Sequence, residues 1–195
     1  MSVLVGGYVP LTTVDYPGEL AAVVFLQGCG WRCHYCHNQE LIPSTAQEGA
    51  PTWPELLARL EDRRGLLDAV VFSGGEPTLQ HGLRPAVEAV KAMGFKVGLH
   101  TNGAYPVRLE RVLSALDWVG LDIKAQPEDY EAITAVRGSG RGPWESLAML
   151  AWHGAHHQAR VTVQPDWSQD YISSLTDAIR RVSPSAEIRL QPCNL

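Results

Sequence analysis

Short apolar or β-branched runs recur along the chain at 21–26, 69–72, 96–100, 117–123, 159–164 and 186–191, and between them the apolar residues switch to helical spacing. Trp53, Leu56, Leu57 and Leu60 fall at i, i+3, i+4 and i+7, with Thr52 and Glu55 as a capping box in front and Gly65 behind. The same stripe returns in Leu109, Val112, Leu113 and Leu116, in Trp144, Leu147, Ala148 and Ala151, and in Leu175, Ala178, Ile179 and Val182. Leu83 to Met93 reads as a further helix, ended by Gly94. Six strands alternating with helices predict right-handed βαβ units, an α/β fold with a parallel sheet covered by helices. A closed eightfold barrel usually takes about 250 residues and seldom fewer than about 200. Six units in 195 residues therefore predict an open, partial (β/α)6 barrel with a side cleft. No repeat, low-complexity tract or linker interrupts the pattern, so one domain is expected over residues 1–195, with 1–19 a short N-terminal extension.

Charge narrows the functional classes. The net charge of −5 argues against a nucleic-acid binder, which would show a basic stripe. Arg63-Arg64 and Arg180-Arg181 are the densest basic spots and read as ends of amphipathic helices. The start has no basic region followed by a long apolar stretch, and no run approaches the roughly 18 apolar residues of a membrane span. A cytoplasmic protein with no membrane partner is expected.

The four cysteines change the picture more. Cys29, Cys33 and Cys36 share one short segment directly after the apolar run 20–26, while Cys193 stands near the other end. Such clustering cannot staple distant parts of a secreted fold and points to a metal or redox site. A four-iron cluster normally takes four thiolates, so three from one loop would leave one iron open to a non-protein ligand. Structural zinc wants four closed ligands, which His34 and His37 could complete. Cys193 reads either as a fourth ligand or as a simple thiol. His153, His156 and His157 have the spacing of a helix face and read as solvated rather than metal-binding. The six tryptophans are read mostly as helical packing residues.

Active sites of parallel α/β folds collect at the carboxyl ends of the strands. The cysteine loop follows the first run, Ser73-Gly74-Gly75-Glu76-Pro77 the second and His100-Thr101-Asn102-Gly103 the third. Asp122-Ile123-Lys124 closes the fourth, and Gln164-Pro165 and Gln191-Pro192 end the last two. All should meet at one rim. Two glycines let a backbone turn freely and bring carbonyls close to a ligand. With no lysine and a carboxylate instead, the Gly74–Pro77 turn suits an ammonium group better than a phosphate.

Cys29-x3-Cys33-x2-Cys36, with Tyr35 before the last cysteine and Gly74-Gly75-Glu76-Pro77 after it, resembles the radical S-adenosylmethionine superfamily. Thr13-Val14-Asp15-Tyr16-Pro17-Gly18, Phe25-Leu26-Gln27-Gly28-Cys29 and Cys36-His37-Asn38 resemble the glycyl-radical-enzyme activases within it. The nearest likeness is to the activating proteins of anaerobic ribonucleoside-triphosphate reductases, of the pyruvate formate-lyase activase type. Thr101-Asn102-Gly103, Asp122-Ile123-Lys124 and Arg160-Val161-Thr162-Val163-Gln164-Pro165 carry the resemblance through most of the chain.

That resemblance implies a [4Fe–4S] cluster on Cys29, Cys33 and Cys36, with the amine and carboxylate of S-adenosylmethionine on the fourth iron. An electron from a reductant such as flavodoxin would cleave the sulfonium to a 5′-deoxyadenosyl radical. The radical would take a hydrogen from a glycine of a partner, a glycyl radical enzyme such as the anaerobic reductase. It further implies that Gly74, Gly75 and Glu76 shape the site around the methionyl amine. Tyr35 and His37 would lie on the adenine side, Asp122 and Lys124 at the nucleoside or carboxylate end, and Thr101 and Asn102 on the same rim. No conventional acid–base residue is implied. One position departs from the pattern: relatives carry an aspartate before Thr-Asn-Gly, in a small cation site near the bound carboxylate, and this chain has His100. A neutral imidazole supplies no anionic oxygen, although a protonated one could bond the carboxylate directly. Two other readings stay open: a small-molecule radical enzyme resembling the 7-carboxy-7-deazaguanine synthases, and a zinc-stabilised binding module.

Overall fold

A computed structural model describes residues 2–193 of the chain; Met1 and residues 194–195 lie outside the described residues. The first element is a strand that the apolar pattern did not announce. Strand β1 (Val5–Thr12) pairs antiparallel with β2 (Ala21–Leu26), with register shifts between Val5 and Gly7 and between Val9 and Thr12. Gly6, Gly7 and Pro10 lower its β-propensity, and an edge position with bulges is where strands tolerate such residues. Much of what reads as an N-terminal extension is therefore part of the sheet.

The six expected strands follow as β2, β3 (Ala69–Gly74), β4 (Lys96–Thr101), β5 (Trp118–Asp122), β6 (His157–Val163) and β7 (Glu187–Pro192). They lie in chain order, and every pair from β2 to β7 is parallel. The helices are α1 (Trp53–Glu61), α2 (Leu83–Ala92), α3 (Pro106–Leu113), α4 (Tyr130–Thr134), α5 (Arg141–Trp152) and α6 (Gln169–Val182). The Thr52–Glu55 capping box is formed at α1. Helix α3 starts three residues before its apolar stripe, and Leu116 falls beyond its end. Helix α4 was not expected, because five residues are too few to show a period.

Strand order without reversal has a consequence for the site. Right-handed crossovers that always step the same way put every helix on one face. Ala22, Val24, Leu26, Val70, Phe72, Val97, Leu99, Val119, Leu121, Ala159 and Val161 point to that face and form the main core with the helices. The alternate positions Ala21, Val23, Ala69, Val71 and Trp118 form a smaller cluster with Tyr16 on the other face. The sheet is open, with β1 and β7 at its edges.

Two side-chain expectations change. His153 follows α5, Gly154 (φ 62) turns the chain, and His157 begins β6, so the three histidines share no helix face. His157 is buried, with its ring nitrogens at 2.7 Å from the Ala155 carbonyl and 2.9 Å from Ser183 Oγ. Of the tryptophans, Trp31 packs from a loop, Trp118 from a strand, and Trp152 is exposed on its helix. Among the described residues no helix is long and apolar enough to cross a membrane.

Candidate functional site

Parallel strands deliver their carboxyl ends to one edge, and a cavity of about 420 Å³ opens there. Cys29, Cys33 and Cys36 line it, all as free thiols. Their loop leaves β2 under close restraint: Gly28 N–H donates to the Leu41 carbonyl at 2.8 Å and Cys29 N–H to the Ile42 carbonyl at 3.0 Å. Further along, Arg32 N–H and His34 N–H donate to the Thr134 and Ile133 carbonyls at 2.9 and 3.2 Å. Those carbonyls belong to the last turn of α4, where a helix has no partners of its own. The short unexpected helix is thus the buttress of the cysteine loop. Tyr130, fully buried in α4, packs edge-on against Trp31 with centroids 5.9 Å apart.

The glycine turn sits against the start of the same loop. Gly75 N–H donates to the Leu26 carbonyl at 2.9 Å and Glu76 N–H to the Gly28 carbonyl at 2.8 Å. Gly74 has φ 110, and a Cβ at Gly75 would lie 2.4 Å from the Gly28 carbonyl oxygen. Only glycine allows that approach. Gly74 and Gly75 line the cavity, but Glu76 is fully buried beneath it. Its Oε1 accepts from Thr78 N–H at 3.0 Å, from the Thr78 hydroxyl and from Thr101 Oγ1 at 2.7 Å. Its Oε2 accepts from Asn102 N–H at 2.8 Å. Burial pushes this carboxyl up, against the pull of those donors. Glu76 therefore ties the ends of β3 and β4 together, and Thr101 and Asn102 reach the cavity as a result.

The other side of the cavity is charged. Asp122 Oδ1 accepts from Arg160 Nε at 2.9 Å and Nη2 at 2.7 Å, while Lys124 Nζ lies 3.6 Å from Oδ2. Burial would raise the Asp122 carboxyl, but the guanidinium and ammonium beside it hold it below the usual carboxylate range. Lys124 also stands 5.3 Å over the Tyr35 ring. His100 lines the cavity, its Nε2 at 2.8 Å from the Asp15 carbonyl oxygen. Burial lowers its pKa from 6.5 to about 3, so the imidazole is neutral at ordinary pH and the protonated form considered from sequence is not the resident one.

The cavity gathers Tyr35, His37, Gly74, Gly75, Thr101, Asn102, Asp122 and Lys124 with the three cysteines; Glu76 alone among the expected site residues does not line it. His34 turns elsewhere, with Nε2 at 3.2 Å from Gln164 Oε1. Among the described residues no three His, Cys, Asp or Glu side chains are grouped to hold a single metal ion, so the zinc arrangement with His34 and His37 is not assembled. Cys193 packs against the aromatic cluster of Trp31, Tyr35 and Tyr130 that also touches Cys29 and Cys33. Ser73, Arg160, Thr162 and Gln191 line the cavity without having been assigned a role from sequence. Strand parity could have found three of them: Asp122 and Arg160 are register partners in β5 and β6, and Thr162 pairs with Gln191 in β7.

These residues fit an iron–sulfur cluster with an added ligand. Three thiols from one loop face one space, and a cube of four irons is wider than an ion, so its thiolates need not meet at a point. Asn102 Nδ2 approaches Cys29 Sγ at 3.9 Å. Among the described residues the buried Tyr35 hydroxyl has no hydrogen-bond partner. Without metal, burial pushes the Cys29 thiol up to about 11, so cluster assembly must displace its proton.

Known proteins match along most of the chain. Residues 23–178 match the radical SAM superfamily. Over 143 residues the chain is 35% identical to a protein of Methanocaldococcus jannaschii named as a putative glycyl-radical enzyme activating enzyme, covering 72% of this chain and 58% of that one. Over 188 residues it is 34% identical to the pyruvate formate-lyase-activating enzyme of Clostridium pasteurianum, covering 92% and 77%. It thus spans little more than half the length of the first relative and about three quarters of the second. The crystal structure of QueE from Escherichia coli superposes with a TM-score of 0.55 at 19% identity, covering 98% of this chain and 94% of that one, a likeness of fold alone.

Proposed function

This chain belongs to the radical SAM superfamily, and from that premise we propose that it is a glycyl-radical-enzyme activase. Members of the superfamily use a [4Fe–4S] cluster and S-adenosylmethionine. When bound, the pair supplies one-electron cleavage of the sulfonium and, from it, hydrogen abstraction from a glycine of the partner. The chain's residues hold and orient. Cys29, Cys33 and Cys36 take three irons, and Gly74 and Gly75 leave room for the methionyl amine. Glu76 acts at one remove, by fixing Thr101 and Asn102. Lys124 and Asp122 serve the carboxylate or nucleoside end, and Tyr35 and His37 the adenine side. The partner is a glycyl radical enzyme, the anaerobic ribonucleoside-triphosphate reductase first among them, and the electron comes from a flavodoxin-type reductant.

One observation carries this reading: three free thiols and the Gly74–Gly75 turn line one cavity at the strand ends. The test is anaerobic reconstitution with iron and sulfide, then reduction and low-temperature electron paramagnetic resonance with and without S-adenosylmethionine. A four-iron signal that shifts with the cofactor, followed by a glycyl radical on an added partner enzyme, supports it. Cofactor cleavage that modifies a small molecule and no protein would give the 7-carboxy-7-deazaguanine synthase-like reading instead. A colourless zinc protein would reduce the chain to a binding module.

A further inference from the structure

The charged side of the cavity is built from neighbouring strands. Asp122 and Arg160 are register partners, and two guanidinium N–H groups converge on one carboxylate oxygen. Lys124 faces the other oxygen. The side chains of Arg160, Lys124 and Asp122 are 17%, 12% and 28% exposed, so what they face is mainly the cavity they line. Two cations against one carboxylate leave a positive charge unbalanced there. Arg160 has five N–H donors to place. Among the described residues Asp122 is its only hydrogen-bond partner, which leaves three unused on a residue lining a cavity.

The family resemblance implies a small inorganic cation beside the bound carboxylate, and these residues do not fit one. The position expected to bring an anionic oxygen is His100, whose Nε2–H is given to the Asp15 carbonyl and whose Nδ1 lies 3.5 Å from Ser73 Oγ. Asp122, the remaining carboxylate, has Oδ1 occupied twice by Arg160 and Oδ2 turned to an ammonium. Among the described residues that line the cavity this leaves one anionic oxygen, Oδ2, without a hydrogen bond, and an oxygen with an ammonium 3.6 Å away and a guanidinium on its own carboxylate is a poor seat for a metal ion.

We propose that the Arg160 guanidinium, oriented by Asp122, is a built-in counter-ion for the carboxylate of S-adenosylmethionine, taking the place of an inorganic cation. The inference rests on the reading that this cavity binds that cofactor. It makes Arg160 a binding residue, and it makes cofactor affinity independent of sodium and potassium. A guanidinium offers a planar pair of donors to a carboxylate, so the substitution also fixes orientation, which a spherical ion does not.

The experiment is equilibrium binding of S-adenosylmethionine to the anaerobically reconstituted full chain, in buffers whose cation is potassium, sodium or tetramethylammonium at equal ionic strength. The reduced-cluster resonance serves as the second readout. The expected result is a Kd constant within twofold across the three. Arg160→Met should weaken binding at least tenfold with the cluster signal intact, and Arg160→Lys should recover part of the loss. The double variant His100→Asp with Arg160→Met restores an anionic pair and should regain affinity only when potassium or sodium is added. Wild-type binding that falls tenfold in tetramethylammonium and returns with potassium would overturn the proposal while leaving the activase reading intact. A loaded cluster that binds no S-adenosylmethionine in any buffer would sink that reading, and this inference with it. If Arg160→Met fails to fold, the wild-type cation series decides alone.

Discussion

Two carboxylates flank the cavity and are solved in opposite ways. Glu76 is wholly buried among four neutral donors, from Thr78, Thr101 and Asn102, and among the described residues it forms no ion pair. Asp122 is partly open and held by Arg160 and Lys124. Burial drives the first carboxyl up, while neighbouring charges hold the second down. Glu76 is a fastener, using its oxygens to satisfy backbone groups at the ends of two strands. Asp122 is part of a charged surface, and the two cations it holds line the same cavity as the cysteines. Acidic residues at one rim can therefore serve the frame or the chemistry, and their donors tell which.

The hardest way to break this comparison is to remove what lies between the two. Cys33→Ala should abolish cluster assembly while leaving a folded, helix-rich domain, as read by iron content and circular dichroism. A full four-iron cluster in that variant would refute the ligand assignment. Next, Glu76→Gln should cost about 2–4 kcal/mol in denaturant unfolding, because an amide group then opposes donors that have no other partner. A loss no larger than that of Asp122→Asn would erase the distinction drawn here.

His100 sharpens the contrast through pH. Its pKa falls from 6.5 to about 3, chiefly by burial and then by Arg160. The unfolded chain takes up a proton below about pH 6.5 that the folded chain refuses, so stability is full above that value and declines as pH drops toward about 3. Between pH 7 and 5 the wild type should lose roughly 2 kcal/mol more than His100→Gln. Parallel unfolding curves at the two pH values would show that the imidazole is not held neutral. The smallest effect belongs to Asp122→Asn, about 1 kcal/mol at pH 7, because its ion pairs are partly exposed. Its cost should disappear as pH falls through the ordinary carboxyl value of 3.8 and below, where the wild-type aspartate is itself protonated.

Much of this protein was legible in the chain. Six of the seven strands and the longer helices follow from the period of their apolar residues, since side-chain direction repeats every 2 or 3.6 residues whatever the rest of the molecule does. The cysteine segment and the glycine turn were equally local, and their place after apolar runs put them at the strand ends. The pattern missed β1, broken by glycine and proline, and α4, too short for a period, although α4 holds the cysteine loop in place. The family resemblance set Glu76 with Gly74 and Gly75 around the methionyl amine, whereas its side chain is buried and does not line the cavity.

What the sequence determined by itself is the alternation of elements, the rim on which the polar groups meet, and the thiols that meet there. Only the tertiary structure decided that Glu76 turns its oxygens inward to Asn102, 26 residues away, and that Asp122 takes Arg160 from 38 residues away. The reason is physical: a period is a property of neighbouring residues, whereas a carboxylate's role is set by the donors that folding brings to it from distant strands.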